Sequence, residues 1–312
     1  MTDQSILGMT LSPDRFSLAA YENGSIKAVS TRELVQPFDH ENLRKAEEPL
    51  SSHIEIVNDL YQRMKVDFKK LSLVLSSDLV MIKKVPLALG LDEKIARQVI
   101  DWEADQMTVS QMNQYIIDSD KLSFQTSNGN SIYLLVLIRK KIVKIVRQLI
   151  ARAGLQLAKI DVDVFASVRT LKTNYDINVD DICLLIDVKQ NHLELIIIYK
   201  KEYFLSQKIR FSDAGINAAT AEPQEISKLI LKEVKRILFG HRLGQNMDDL
   251  DQIFLMGNEI AQHVMKELVE SVSVPVQMVN PFKRILIAPE VTQSKDYLRN
   301  AEKFVSCVGG VL

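Results

Sequence analysis

Two strand-ending turns constrain this chain more than any other feature. Ile182-Cys183-Leu184-Leu185-Ile186-Asp187 is an apolar run closing on a carboxylate, and beyond Val188-Lys189-Gln190-Asn191-His192 a second apolar run covers Leu193 to Tyr199. Later, Ile253-Phe254-Leu255-Met256 passes through Gly257-Asn258-Glu259 into a helical pattern. Short, continuous apolar runs bounded by turn residues are strands covered on both faces. The chain is therefore expected to build a layered α/β sheet, and strand-Asp-turn-strand followed by strand-Gly-helix is a frame for phosphate. Backbone N–H groups in such turns reach a phosphate only where glycine lets the main chain approach. Lys189 stands where the first turn needs glycine, and the second turn keeps Gly257 alone. The frame is present and most of its glycines are not.

At 312 residues the chain has room for two domains of ~100–200 residues each. Charged residues make up 25% and nearly cancel, leaving a net charge of −1. That balance describes a folded chain and excludes a disordered acidic tail or a broad nucleic-acid surface. Met1 to Ser5 has neither the basic flank nor the apolar core of a secretory signal. No apolar run reaches the ~20 residues of a spanning helix. Cys183 in a strand and Cys307 in an apolar helix form neither a disulfide framework nor a metal spacing, so two buried thiols in a reducing cytoplasm are expected.

Along the chain, Ser5–Leu11, Arg15–Tyr21 and Ser25–Val29 read as strands turned at Pro13-Asp14 and Asn23-Gly24. Val35 to Pro49 reads as a loop, and 54–64 as a helix. Leu71–Leu75 and Val80–Ile82 read as strands around Ser76-Ser77-Asp78. Asp92 caps a helix to about Met107, with Ile95, Val99, Ile100 and Met107 expected on its inner face. Strands at Tyr115–Ile117, Leu122–Gln125 and Ile132–Leu137 complete a small α+β unit. A basic amphipathic helix runs from Lys140 to Ala153 and is closed by Gly154. Strand 158–162, helix 164–171 and a turn-rich stretch, Asn174 to Asp181, lead into the second half. There three strands precede a helix at Pro223–Gly240, the Ile253 strand, helix 260–269, strand 274–279 and a last helix from Asp296 towards Leu312.

At this point the sequence resembles a family, the PilM-type actin-like proteins of type IV pilus assembly, relatives of FtsA and of the L-protein of type II secretion. Four stretches carry the likeness in order. They are Val74-Leu75-Ser76-Ser77-Asp78 with Val85-Pro86-Leu87, then Ile100-Asp101-Trp102-Glu103-Ala104-Asp105-Gln106, then Ala153-Gly154-Leu155 with Ile160-Asp161-Val162-Asp163-Val164-Phe165-Ala166, and Pro275 to Phe282 with its Asn280-Pro281-Phe282 ending. The resemblance implies an actin-like (ribonuclease H-like) two-lobed fold. The first lobe would span 1–67 and 138–176, with an inserted subdomain at 68–137. The second lobe would span 177–312, its own insertion reduced or absent and its C-terminal helix returning towards the first lobe.

The departures concern nucleotide. The family's first phosphate loop reads roughly Asp-x-Gly-Ser-Ser-Ser-x-Lys, whereas Thr10-Leu11-Ser12-Pro13-Asp14-Arg15-Phe16-Ser17 has no Gly, no Lys and a proline without an N–H. Asp187, Lys189 and Gly257 remain as a vestigial nucleotide site, and the segment that closes over adenine is reduced to 210–220. The expectation is a non-catalytic chain that takes neither ATP nor magnesium. By resemblance its partner is the cytoplasmic N-terminal peptide of a bitopic inner-membrane protein of PilN type, held in a groove between the first lobe and the inserted subdomain. Contact with the membrane would be indirect, nucleic acid is not a partner, and self-association stays open. A divergent actin-superfamily ATPase or kinase, or a polymerising cytoskeletal protein, are the rival classes.

Other candidates have plainer readings. Asp187 is expected to cap its strand and Lys189 to be a solvated turn residue. Asp161 and Asp163 flank Val162 as an acid–base pair would, but fall at a crossover of the lobes. His192 and His241 have no ligand spacing around them. The Lys140 helix is either a surface helix packed on its sheet or a lipid-facing one, and Trp102 is either half-buried or a contact residue.

Overall fold

The computed structural model describes residues 5–108, 110–126, 128–299 and 301–312. Its contacts divide into two compact units. The first runs to Asp163 and takes in 288–291 and 311; the second comprises 164–287, 292–310 and 312.

In the first unit, β1 (Ser5–Leu11), β2 (Arg15–Glu22) and β3 (Ser25–Glu33) form an antiparallel meander. Its second turn is Asn23-Gly24, both with positive φ (47° and 84°), the conformation a tight hairpin requires and Asn-Gly supplies cheaply. β4 (Lys70–Leu75) lies parallel to β1, and β8 (Gln156–Val162) parallel to β4, giving the order β3-β2-β1-β4-β8. Helices α2 (Ser51–Met64) and α4 (Lys140–Arg152) pack on this sheet, and α1 (His40–Lys45) packs on α4. Leu7, Met9, Leu11, Leu73 and Leu75 meet Val57 and Leu60 of α2 and Ile145, Val146 and Leu149 of α4 in one core. The apolar stripe of α4 is thus fully used, and its cations turn to the 47–48 segment: Lys141 pairs with Glu47 at 2.9 Å and Arg152 with Glu48 at 2.6 Å.

A separate three-stranded antiparallel sheet, β5-β7-β6, is formed by β5 (Val80–Leu87), β6 (Tyr115–Gln125) and β7 (Ser131–Arg139), with α3 (Glu93–Met107) on one face. Val85, Leu87, Leu135 and Leu137 bury against Ala96, Ile100 and Ala104. Pro86 is tolerated because β5 is an edge strand. The insertion expected to open at residue 68 opens only at β5, since β4 pairs with β1 and β8 in the main sheet. Ile95 also differs, being 47% exposed. The alanines bring α3 close to the sheet and rotate Ile95 outwards. The expected strands at 115–117 and 122–125 are one strand with a register shift between Lys121 and Gln125. The expected loop at 35–49 contains α1, capped by Asp39 accepting from Asn42 N at 2.8 Å.

The second unit begins with α5 (Asp163–Asn174), followed by β9 (Ile182–Val188), β10 (His192–Tyr199), β11 (Glu202–Arg210), α6 (Pro223–Gly240), β12 (Gln252–Gly257), α7 (Ile260–Ser271) and β13 (Val276–Met278). Short elements close the chain: β14 (Leu286–Ile287), α8 (Pro289–Thr292), α9 (Lys295–Arg299) and α10 (Val305–Val311). The sheet order is β11-β10-β9-β12-β13; the first three strands are antiparallel and the last two join in parallel. The last helix expected from Asp296 is interrupted by a 3₁₀ turn at Ala301–Phe304. α10 lies on α5, where Thr170 Oγ1 donates to Val305 O at 2.7 Å and Arg169 Nε to Gly309 O at 3.0 Å. A Cβ on Gly309 would stand 1.8 Å from Ala166 O, so the two helices touch through backbone. This bonding is why α5 groups with the second unit, placing the division at Asp163/Val164 and not at 174–181.

Candidate functional site

The turns singled out in the sequence come together at one end of the second sheet. Antiparallel register sets Asp187 of β9 directly opposite Glu194 of β10. Facing carboxylates repel. Lys189 resolves this, its Nζ lying 3.4 Å from Asp187 Oδ2 and 3.3 Å from Glu194 Oε2. The three side chains are only 16% (Lys189), 13% (Asp187) and 4% (Glu194) exposed, so the ammonium is a built-in counter-ion and not the solvated turn residue expected. The hairpin is closed by Lys189 N donating to His192 O at 3.0 Å, and His192 Nδ1 lies 2.7 Å from Asn191 Oδ1. Glu194 was missed in the sequence, although counting residues through the hairpin pairs it with Asp187.

Gly257 has φ +131°, and a Cβ there would stand 2.1 Å from Val188 O. The next amide, Asn258 N, donates to that same carbonyl at 2.9 Å. The glycine is therefore required by the crossing of β12 and β9, with or without a ligand. Asn258 Oδ1 then accepts from Ile260 N at 3.2 Å as α7 begins. In the first unit, the β1–β2 turn is laced from outside: Phe38 N donates to Pro13 O at 2.9 Å and Leu34 N to Asp14 O at 2.7 Å. Among the described residues no group of three or more His, Cys, Asp or Glu side chains converges as a metal site would.

A different kind of place exists inside the first unit. A cavity of about 360 Å³ opens where α1, the residues before β6 and the β7–α4 joint meet, lined by Leu43, Arg44, Asn113, Gln114, Lys140 and Ile142 among others. Leu43 and Ile142 belong to the core beneath and give the cavity an apolar floor. Arg44 and Lys140 are exposed at its rim, and the Arg139 guanidinium sits 5.1 Å above the Tyr115 ring. Lys141 Nζ donates to Arg44 O at 2.9 Å, tying α4 to the end of α1. The sequence indicates the junction but not these residues, because 35–49 carries no period that marks α1 as a helix.

The remaining candidates separate. Asp163 Oδ1 accepts from Ser77 N at 2.9 Å and Asp161 Oδ1 from Val162 N at 2.7 Å, so each caps backbone. Trp102 is 60% exposed on the outer face of α3. Burial pushes the Cys183 thiol up to about 12, with Asp181 and Asp251 adding to it, so this sulfur is not a nucleophile.

Comparison with known proteins fits this architecture. A family model described as type IV pilus assembly protein PilM matches residues 35–228. No curated protein sequence matches. Among solved structures, the PilM–PilN type IV pilus biogenesis complex is similar with a TM-score of 0.75 at 15% identity, over 98% of this chain and 97% of that one. EutJ, an ethanolamine utilization protein from Carboxydothermus hydrogenoformans, gives 0.51 at 11% identity, over 100% and 90%. A Bacteroides thetaiotaomicron protein with an actin-like ATPase fold gives 0.50 at 13% identity, over 90% and 92%. The fold is actin-like, and because the family model spans more than half of the residues, the chain belongs to the type IV pilus assembly protein PilM family.

Proposed function

We propose that this chain is a non-catalytic scaffold of pilus assembly that holds the cytoplasmic N-terminal segment of a bitopic, PilN-like membrane protein in the groove between the main sheet and the inserted sheet of its first unit. The observation that carries the reading is the contrast in readiness of the two places. The groove has an apolar floor at Leu43 and Ile142 and cations at its rim, the arrangement that grips an extended peptide by side-chain pockets and polar edges. The likeness to the solved PilM–PilN complex supports a partner of that type. The chain would then sit on the cytoplasmic face of the inner membrane through its partner. The vestigial nucleotide turns are read as structural. Lys189 fills the cation position that magnesium would need, Val188 O fills the approach at Gly257, and Pro13 offers no donor.

The test uses the full chain and a synthetic N-terminal segment of a PilN-like bitopic protein from the same organism. Calorimetry is expected to give saturable binding that Arg44→Glu with Lys140→Glu weakens and Lys189→Ala does not. Titration with Mg-ATP is expected to be flat. Micromolar binding of Mg-ATP, or recruitment lost through the Lys189 substitution alone in a folded variant, overturns the reading.

A further inference from the structure

The second unit has a larger cavity that the pilus reading leaves unused. It measures about 610 Å³ and lies between β11 and one face of α6. β11 is the outermost strand of its sheet, so one row of its backbone groups has no strand partner among the described residues. Facing that row, α6 presents Lys228, Lys232 and Arg236, each four residues from the next. Gln207 Nε2 lies 3.5 Å from Glu233 Oε2, which holds this face of the helix along the strand. Arg236 is engaged with Glu233 at 2.7 Å. Lys228, Lys232 and Arg210 are exposed and enter no ion pair among the described residues.

The spacing of these cations selects the shape of an occupant. Four residues of helix rise ~6 Å, and side chains on one face of a strand recur every ~6.8 Å. An extended segment laid against β11 with carboxylates at alternate positions meets Lys228 and Lys232 almost in register. A compact polyanion fits less well, because Asp213, Glu225 and Glu233 also line the cavity and interrupt its positive charge. Edge strands guard themselves against random pairing with charge and irregularity. β11 has both, with Lys208 and Arg210 near its end and a register shift opposite Ile197/Ile198. Burial next to Arg210 also lowers the Lys208 amine to about 8. Such a guard repels apolar and basic strands and admits an acidic one.

We propose that β11 accepts an extended acidic segment of a partner protein as an added strand, with alternate carboxylates held by Lys228 and Lys232. This goes beyond the pilus partner of the first unit and does not depend on it. The probe is a fluorescein-labelled peptide of alternating glutamate and threonine, followed by anisotropy with the full chain at low salt. Saturable binding is expected. It should weaken about tenfold or more with Lys228→Glu plus Lys232→Glu, and similarly when alternate peptide amides are N-methylated, which removes the backbone donors of strand addition. Arg44→Glu plus Lys140→Glu should leave it unchanged. Should the charge reversal disturb folding, judged by circular dichroism, Lys228→Ala plus Lys232→Ala must still lower the affinity and its salt dependence. The proposal is overturned if a lysine–threonine peptide binds as well. It is also overturned if N-methylation has no effect while inorganic tripolyphosphate displaces the peptide, which would mark a compact anion site. Sedimentation velocity showing self-association through this face, without peptide binding, would assign β11 to a second copy and overturn it too.

Discussion

The β9–β10 hairpin and the groove beside α1 are both places where strand ends meet helices, yet they are finished in opposite ways. At the hairpin every charge is answered from within: Asp187 and Glu194 share Lys189, and Gly257 receives a carbonyl of its own sheet. At the groove the floor is the outer surface of buried core residues Leu43 and Ile142, and the rim cations Arg44 and Lys140 point to solvent. The difference separates two uses of the same residue types. Charges that close on each other serve stability, and removing one is costly because its partners stay behind. Charges left unpaired at the rim of a groove contribute little to folding and are free to serve a contact.

This contrast is broken most sharply at Gly257. Gly257→Ala places a methyl group against Val188 O at a backbone conformation alanine resists, and a loss of about 4 kcal/mol or more is expected in urea unfolding. A variant as stable as the parent would mean the glycine served a ligand and not the sheet. Next in size is Lys189→Ala, expected to cost about 3 kcal/mol by leaving Asp187 and Glu194 face to face. Adding Glu194→Gln should recover much of that loss, and a double-mutant cycle with no coupling would show the lysine to be incidental. At the groove the expectation reverses. Arg44→Glu with Lys140→Glu should change stability by no more than about 0.5 kcal/mol, while partner-peptide affinity falls about tenfold, or ~1.4 kcal/mol.

The smallest effect concerns Lys84, on β5 of the inserted sheet, whose amine burial pushes down to about 8. Between pH about 8 and its ordinary value of 10.5, the unfolded chain holds a proton that the folded chain has released. Stability should therefore rise with pH across that window, and below it the buried charge is a standing cost. Lys84→Met should remove this rise, read as the difference between parent and variant unfolding curves. Identical pH profiles would show that the amine is solvated in the folded protein.

Much of this is legible in the sequence alone. Continuous apolar runs marked β9, β10 and β12, Asn23-Gly24 marked the hairpin, and Asp92 and Gly154 marked helix ends, because each signal is local and has a single physical cause. α1 escaped because six residues make too short a helix to carry a period, and its stability comes from Leu43 docking on α4. The apolar pattern of the helix sets Ile95 on the inner face with Val99, Ile100 and Met107, but Ala96 and Ala104 are the residues buried there, and Ile95 is left exposed. The roles of Lys189 and Glu194 depended on register across a hairpin, a relation between two strands that neither strand displays by itself. Gly257 was visible and its reason was not, since a glycine that admits a phosphate and one that admits a neighbouring carbonyl look alike in sequence.

The lysine between Asp187 and Glu194 has a further consequence for how such a protein can be timed. A cation carried on a mobile ligand can leave, and the charge of the turn then changes with the supply of that ligand. Lys189 is covalently part of the chain, so the turn holds the same charge balance whether the cell is rich or starved in nucleotide and metal. On the non-catalytic reading proposed above, a component built this way would not report energy status, and any clock in the machine it joins would have to be supplied by another member.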